Sequence, residues 1–238
     1  MQRILPCALL CAASLSAATP AFAWMTEPAR NPDNGHYYAF FNGADGDRLS
    51  RPAMPFATAL SRAASMSHFG VPGHLATITS QAEQDFILQV FKELRNSQFT
   101  IFNENFWIAG SDAAVEGEWR WVAGPEAGQL FWQGKADGLA LDYQSWLTRT
   151  NGSTREPNNS PSYFNRDGED YLALIFQESE RLPSYWNDVV GFEDNSRSSP
   201  RFGLVEFSVI PEPSSAALIA SAGLMLVAAC RRRAWARR

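Results

Sequence analysis

The chain has 238 residues, 45% of them hydrophobic and 19% charged, with 25 acidic against 20 basic side chains and a formal charge of −5 at pH 7. That acidic balance argues against nucleic acid and other polyanions as partners, and it fits cation binding or plain solubility. The three cysteines, Cys7, Cys11 and Cys230, all lie close to the two ends, so the middle of the chain has no thiol from which to build a disulfide.

In chain order, Met1 to Ala23 comes first. One early charge at Arg3, an apolar run from Ile4 to Ala18 and the small-residue triplet "AFA" before Trp24 follow the pattern of a secretory signal. The run is too short to span a membrane. Residues 1–23 are therefore expected to be removed, which leaves an exported part beginning at Trp24. Residues 24–35 read as an N-terminal linker, with Pro, Asn, Asp and Gly clustered from Pro28 to Gly35.

Two helix signals follow. Phe56, Ala59, Leu60, Ala63, Ala64 and Met66 recur at helical spacing on the way to Gly70, and Ser80 with Glu83 forms a capping box ahead of Phe86, Ile87, Val90, Phe91 and Leu94. Between them "GHLATI" is a short strand. After Asn105 the aromatic and β-branched runs "FWIAG", "EWRWV", "YLALIF", "SYWND" and "FGLVEF" read as short strands bounded by Gly, Pro, Asn and Asp. Two helices near the front and many short strands behind them predict one α+β domain.

The chain closes on a second apolar segment. A triplet Pro211, Glu212, Pro213 precedes an apolar run, 216–230, and five arginines. At about 1.5 Å per residue this run falls short of a hydrocarbon core of roughly 30 Å, while the arginines favour a cytoplasmic end. The order resembles the PEP-CTERM sorting signal of Gram-negative bacteria. The resemblance implies recognition by an exosortase, transient membrane contact through 216–230, cleavage near the triplet, and release to the cell surface or the extracellular polysaccharide matrix. A plain tail anchor is the alternative. Without both ends the chain carries 24 acidic and 14 basic residues, a net charge of −10.

The residues of the middle carry a second resemblance. "FATALSRAASMSHFGVPGHLATITSQAEQDFI", "FWIAGSDAAVEGEWRWVAGPEAG", "DGLALDYQSW", "EPN", "GEDYLAL", "YWND" and "FGLVEF", in this order, resemble a C-type lectin domain of the bacterial kind. The likeness implies a C-type lectin-like fold over residues 36–208, with two helices packed on short, mostly antiparallel strands and a long loop region. The Glu and Asn of an EPN triplet then flank a cis proline and face one Ca2+. Carried over, the metal ligands are Glu156, Asn158, Glu169, Asn187 and Asp188. Five side-chain oxygens, a backbone carbonyl from Asp188 and two sugar hydroxyls make eight, a number that calcium accepts.

Sugar binding follows from the same groups. Each of two vicinal hydroxyls can give a lone pair to calcium, donate to Glu156 or Glu169 and accept from the carboxamide of Asn158 or Asn187. An EPN triplet implies mannose, glucose, fucose and related sugars, whereas a Gln-Pro-Asp triplet implies galactose. Taken singly, Trp186 is a core residue, Asn187-Asp188 a turn, Glu156-Pro157-Asn158 an exposed loop, and Glu169-Asp170 a solvated edge. Trp107, Trp119, Trp121, Trp132 and Trp146 read as packing residues and His74 as a framework histidine, while His36 and His68 have no metal-type spacing around them.

This chain departs from the family where cysteines are common. Ala63 and Val205 occupy one pair of positions and Tyr171 and Gly191 the other, so apolar packing has to replace both links. Residues 159–168 widen the gap between Asn158 and Glu169, with Tyr163, Phe164 and Arg166 as exposed candidates. A second calcium near Asn159 and Asp170 is disfavoured because Asn159 supplies no charge. No G-x-S-x-G, H-E-x-x-H or C-x-x-C occurs, and Glu156 and Glu169, if committed to calcium, are not free as a glycosidase pair, so no enzyme is expected. The rival reading is a lectin-fold protein that binds protein or builds matrix without using sugar.

Overall fold

The computed structural model describes residues 23–45, 53–98, 105–149, 152–153, 155–160, 168–177, 184–191 and 200–208. Residues 1–22, the triplet at 211–213, the apolar run 216–230 and the candidates Tyr163, Phe164 and Arg166 lie outside them. Among the described residues no helix is long and apolar enough to cross a membrane.

The first elements are β1 (Ala23–Met25), β2 (Ala29–Arg30) and β3 (Tyr37–Asp45). Both β1 and β2 pair antiparallel with β3. The stretch read from the sequence as a linker therefore supplies edge strands of the sheet. Its alternation is too short to register as a strand, and only β3 gives it a partner.

Helix α1 (Phe56–Ser65) buries Phe56, Ala59 and Ala63, three residues at one-face spacing. It stops five residues short of Gly70. Phe69 and Gly70 both take left-handed φ, 49° and 80°, and form the two-residue turn of a small hairpin between β4 (Ser67–His68) and β5 (Val71–Pro72). After β6 (His74–Leu75) comes α2 (Gln81–Gln98). Its cap is shifted from the expected box: the Ser80 hydroxyl accepts the Glu83 N–H at 3.2 Å, but Glu83 reaches back to the N–H of Thr79, at 2.8 Å, and not to that of Ser80.

The remaining strands are β7 (Asn105–Ser111), β8 (Glu118–Trp121), β9 (Leu130–Gln133), β10 (Leu139–Ala140), β11 (Tyr171–Ile175), β12 (Tyr185–Val189) and β13 (Phe202–Phe207). They form one sheet in the order β1-β3-β13-β7-β8-β9-β10, from which β11 branches off β7 and carries β12. All pairings are antiparallel except β13 with β7. Every residue of β13 is buried, because the strand lies between β3 and β7 with β6 alongside.

Large aromatic rings fill the core. Trp186 touches Trp121, Phe131 and Trp146 at centroid distances of 5.7, 5.8 and 6.0 Å, all nearly edge to face, the arrangement the ring quadrupole favours. Its indole N–H donates to Gln84 on α2 at 2.8 Å, and that of Trp107 donates to the Met54 carbonyl at 2.6 Å. Where a disulfide would stand, the Tyr171 ring lies over Gly191 so closely that a Cβ there would strike it. Ala63 and Val205 both border Gly73, where a Cβ would press on the Ala63 carbonyl and a Val205 methyl. Packing has replaced both links.

One buried carboxylate ties the N-terminal loop to β13. Glu206 accepts the Thr77 N–H at 3.1 Å and the Ser208 hydroxyl at 2.9 Å, and it lies 2.6 Å from Nδ1 of His36. That bond raises the pKa of His36, against the opposing effect of its partial burial. A raised folded-state value means that this pairing stabilises fully below the ordinary histidine value of about 6.5 and is lost as pH climbs through the raised one. Glu206→Gln should therefore lower the His36 pKa, as read by NMR titration of the ring, and cost about 1.5–3 kcal/mol at pH 6, as read by urea unfolding.

Candidate functional site

The loop at 155–160 is anchored at its start by the Arg155 N–H, which donates to the Leu147 carbonyl at 2.6 Å. The peptide bond between Glu156 and Pro157 is cis, as the EPN resemblance implies. Glu156 is turned inward, 6% exposed, while Asn158 stays at the surface and donates from its amide to Glu156 Oε2.

Asn159 then organises the region. Its backbone φ is 50°, an unusual value that asparagine tolerates better than most residues. Its N–H donates to Asp188 Oδ2 at 2.6 Å, its amide donates to Glu116 Oε1 at 2.5 Å, and its carbonyl oxygen accepts the Glu169 N–H at 2.7 Å. Three other segments of the chain thus converge on one side chain and its own N–H. Gly168 is required beside it: with φ at +105°, any Cβ would collide with the Asn159 carboxamide.

Asp188 is fully buried in β12, whose register sets it opposite Leu172 of β11. Its Oδ1 has no hydrogen-bond partner. Burial raises its pKa, partly offset by the N–H groups of Asn159 and Asn158 that point at it. Glu156 lies in hydrogen-bonding contact with it and is held up at about 7, first by burial and then by the charge of Asp188. Glu169, half-buried, accepts the Ser160 N–H at 3.1 Å and is also raised to about 7, by burial and then by Asp188, with Glu156 a smaller cause. Three acids therefore press on one another where little water reaches them. Asn187, half-buried, donates from its amide to the Asp188 carbonyl at 2.8 Å.

A fourth acid stands next to these, and neither it nor its turn was singled out in the sequence. Asp112 directly follows β7 and accepts the Gly117 N–H at 2.9 Å, closing the turn that leads to β8. Its Oδ1 is buried without a partner, and burial, followed by the charges of Glu116, Asp170 and Asp188, raises it to about 7. The signal was present in "DAAVEG", two acids four residues apart in a turn that closes on glycine. Asn159 matters here as a hydrogen-bonding hub, a role that counting charges does not detect.

The donor oxygens are adjacent but not closed into a cage. Among the described residues no group of three or more His, Cys, Asp or Glu side chains is gathered so as to hold a metal ion. What exists is a mixed set of carboxylate and carboxamide oxygens, with two buried acid oxygens left without a partner. Such a set suits a hard, oxygen-seeking cation, for which neutral amide and hydroxyl oxygens also count as ligands.

Residues 62–168 match the family described as Lectin C-type domain. Halomucin of Haloquadratum walsbyi is 35% identical over 159 residues, 66% of this chain but 1% of its own length. An alpha-N-acetylgalactosamine-specific lectin of Patiria pectinifera is 24% identical over 164 residues, 69% of this chain and 83% of that protein. Among solved structures, the C-type lectin CEL-I of Cucumaria echinata has 21% identity and a TM-score of 0.46, covering 76% of this chain and 94% of that one. The fold is the expected α+β one, two helices on mostly antiparallel strands with no cysteine among the described residues, and its residues 62–168 are similar to the Lectin C-type domain family.

Proposed function

We propose that the chain is an exported, calcium-dependent carbohydrate-binding module of the mannose, glucose and fucose type, not an enzyme, working at the cell surface or in an exopolysaccharide matrix. One observation carries the reading: Asp188, fully buried, keeps one carboxylate oxygen without a partner, and its charge opposes that of the neighbouring, equally inward-turned Glu156. Facing acids of this kind are costly unless a proton or a cation lies between them.

Glu156, Asn158, Glu169, Asn187 and Asp188 would hold calcium, and two vicinal sugar hydroxyls would complete its shell of up to eight oxygens. When bound, the ion supplies the positive charge that lets the carboxylates stay ionised. The chain's own residues then orient the sugar. Glu156 and Glu169 accept hydroxyl protons, while Asn158 and Asn187 donate from their amides. Both amides are turned to protein acceptors in the structure, Asn158 to Glu156 and Asn187 to the Asp188 carbonyl, so sugar binding has to redirect them. With its acids committed in this way, the site keeps no free general acid. The Patiria relative is by name specific for N-acetylgalactosamine. The Glu-Pro-Asn order of 156–158 favours the mannose class here, through the resemblance it carries.

The ion gives a direct test. At about 1,000 times its dissociation constant a ligand adds roughly 4 kcal/mol, so millimolar calcium should raise the melting temperature by several degrees over chelator. Asp188→Asn keeps the acceptor for the Asn159 N–H and removes the buried charge. It should melt no lower than the parent in chelator yet lose the calcium shift. Equal melting of the parent with and without calcium would sink the site.

Sugar choice is tested by exchanging Glu156→Gln and Asn158→Asp together, which preserves charge and oxygen count but reverses donor and acceptor. A mispaired bond to a charged group costs roughly 1.5–3 kcal/mol, tenfold or more in affinity, so retention on a mannose column should be lost while the calcium shift persists. Unchanged retention would favour a protein-binding role. Export and sorting rest on the two terminal segments. Alanines at Pro211, Glu212 and Pro213 should leave the protein in the membrane fraction of its native host, and unaltered release would overturn the exosortase reading.

A further inference from the structure

A cavity of about 530 Å3 lies at the N-terminal edge of the sheet, away from the acids, with none of its lining residues in the loop 155–160, β11 or β12. One wall is aromatic. His68 lies 4.7 Å from Tyr37 and 4.2 Å from Phe69, and its other neighbour is Phe207 at 5.5 Å, so a chain of rings runs from the buried core to the surface. Phe69 ends it at 83% exposure, the highest among the large hydrophobic side chains of the described residues.

Phe69 also occupies a position that disfavours it. It is the first residue of the β4–β5 turn, with φ at 49°, where Asn, Asp or Gly is the usual choice. A bulky ring held in left-handed backbone and aimed into water serves neither the turn nor the core. Backbone outliers of this kind cluster at functional sites.

The facing wall is polar and pinned. Asn31 accepts the Asp33 N–H at 3.0 Å, and Asn34 accepts the His36 N–H at 2.9 Å while donating to the Tyr38 hydroxyl at 2.8 Å. Arg30 lies along this turn, its guanidinium 3.4 Å from where a Cβ on Gly35 would be. Both Arg30 and Asp33 are exposed. The groove thus offers an aromatic wall of mutually tilted rings on one side and a donor and an acceptor of opposite charge on the other.

We propose that this groove is a second saccharide site, independent of calcium, that takes a neutral pyranose residue of a polysaccharide. A pyranose matches both walls: its C–H face stacks on the exposed Phe69 ring, beside which Tyr37 stands edge-on, while its hydroxyls donate to Asp33 and accept from Arg30. A wholly apolar partner would strip water from Arg30 and Asp33 without replacing it. A polyanion would meet Asp33, and a polycation Arg30. The site goes beyond the calcium reading and stands or falls separately from it, because chelator silences one and leaves the other.

Full-length protein in detergent, applied in chelator to an array of neutral oligosaccharides, tests it. The parent should bind, and Phe69→Asn should bind roughly tenfold more weakly, since a lost ring face removes both stacking and buried area. Asparagine suits the left-handed turn, so this variant should melt no lower than the parent, which separates lost binding from lost fold. Arg30→Ala should weaken binding as well. No chelator-resistant binding to any neutral oligosaccharide, or binding that Phe69→Asn leaves intact, would overturn the proposal. A parent that sediments as a dimer which Phe69→Asn dissolves would overturn it too, by assigning the ring to contact between copies of the chain.

Discussion

The whole architecture hangs on β13. It is the strand through which β3 and the N-terminal edge reach β7, and through β7 the branch that carries the site. A strand flanked on both sides and covered on both faces can hold only residues that tolerate complete burial, and "FGLVEF" has one charged member. That member, Glu206, is held by Thr77, Ser208 and His36, so the cost of burying a carboxylate is met by three partners that lie on different parts of the chain. The chain ends of the domain are thereby fastened to its centre without a covalent link.

The acids around Asp188 are the opposite case. Asp188, Asp112 and Glu156 are buried like Glu206, yet two of their carboxylate oxygens have no partner. Within one molecule, then, one buried acid is fully hydrogen-bonded and a neighbouring group of acids is not. Asn159 stands between these conditions. Its three hydrogen bonds hold the acids at fixed separation even without an ion, and Gly168 makes room for it.

Much of this was legible in the chain. The apolar spacing of Phe56, Ala59 and Ala63, and that of Ile87 and Phe91, specified which faces of the two helices go inward, because a helix has one periodicity and those residues obey it. The strand runs after Asn105 were equally clear from their aromatic and β-branched content. What escaped were elements with no signal of their own. Strands β1, β2 and β10 are two or three residues long and exist through their partners, and α1 ends early because Met66 turns extended and leads straight into β4. At the site, the triplet announced Glu156 and Asn158, whereas Asp112 and Glu116 became visible only when folding brought the β7–β8 turn against residues 159 and 170.

Trp186 is next to Asn187 and two residues from Asp188 in sequence, and it sits wholly buried at the centre of a ring cluster with Trp121 and Trp146, the latter also touching Trp119 and Trp132. Excitation absorbed by any of these indoles is shared among neighbours some 5 to 6 Å apart. The indole transition is sensitive to nearby electric fields, and a change of charge at Asp188 alters the field at the centre of that cluster. The packing that builds the core therefore also gives the molecule an intrinsic fluorescent reporter, whose emission colour registers the electrostatic state of the acids beside it.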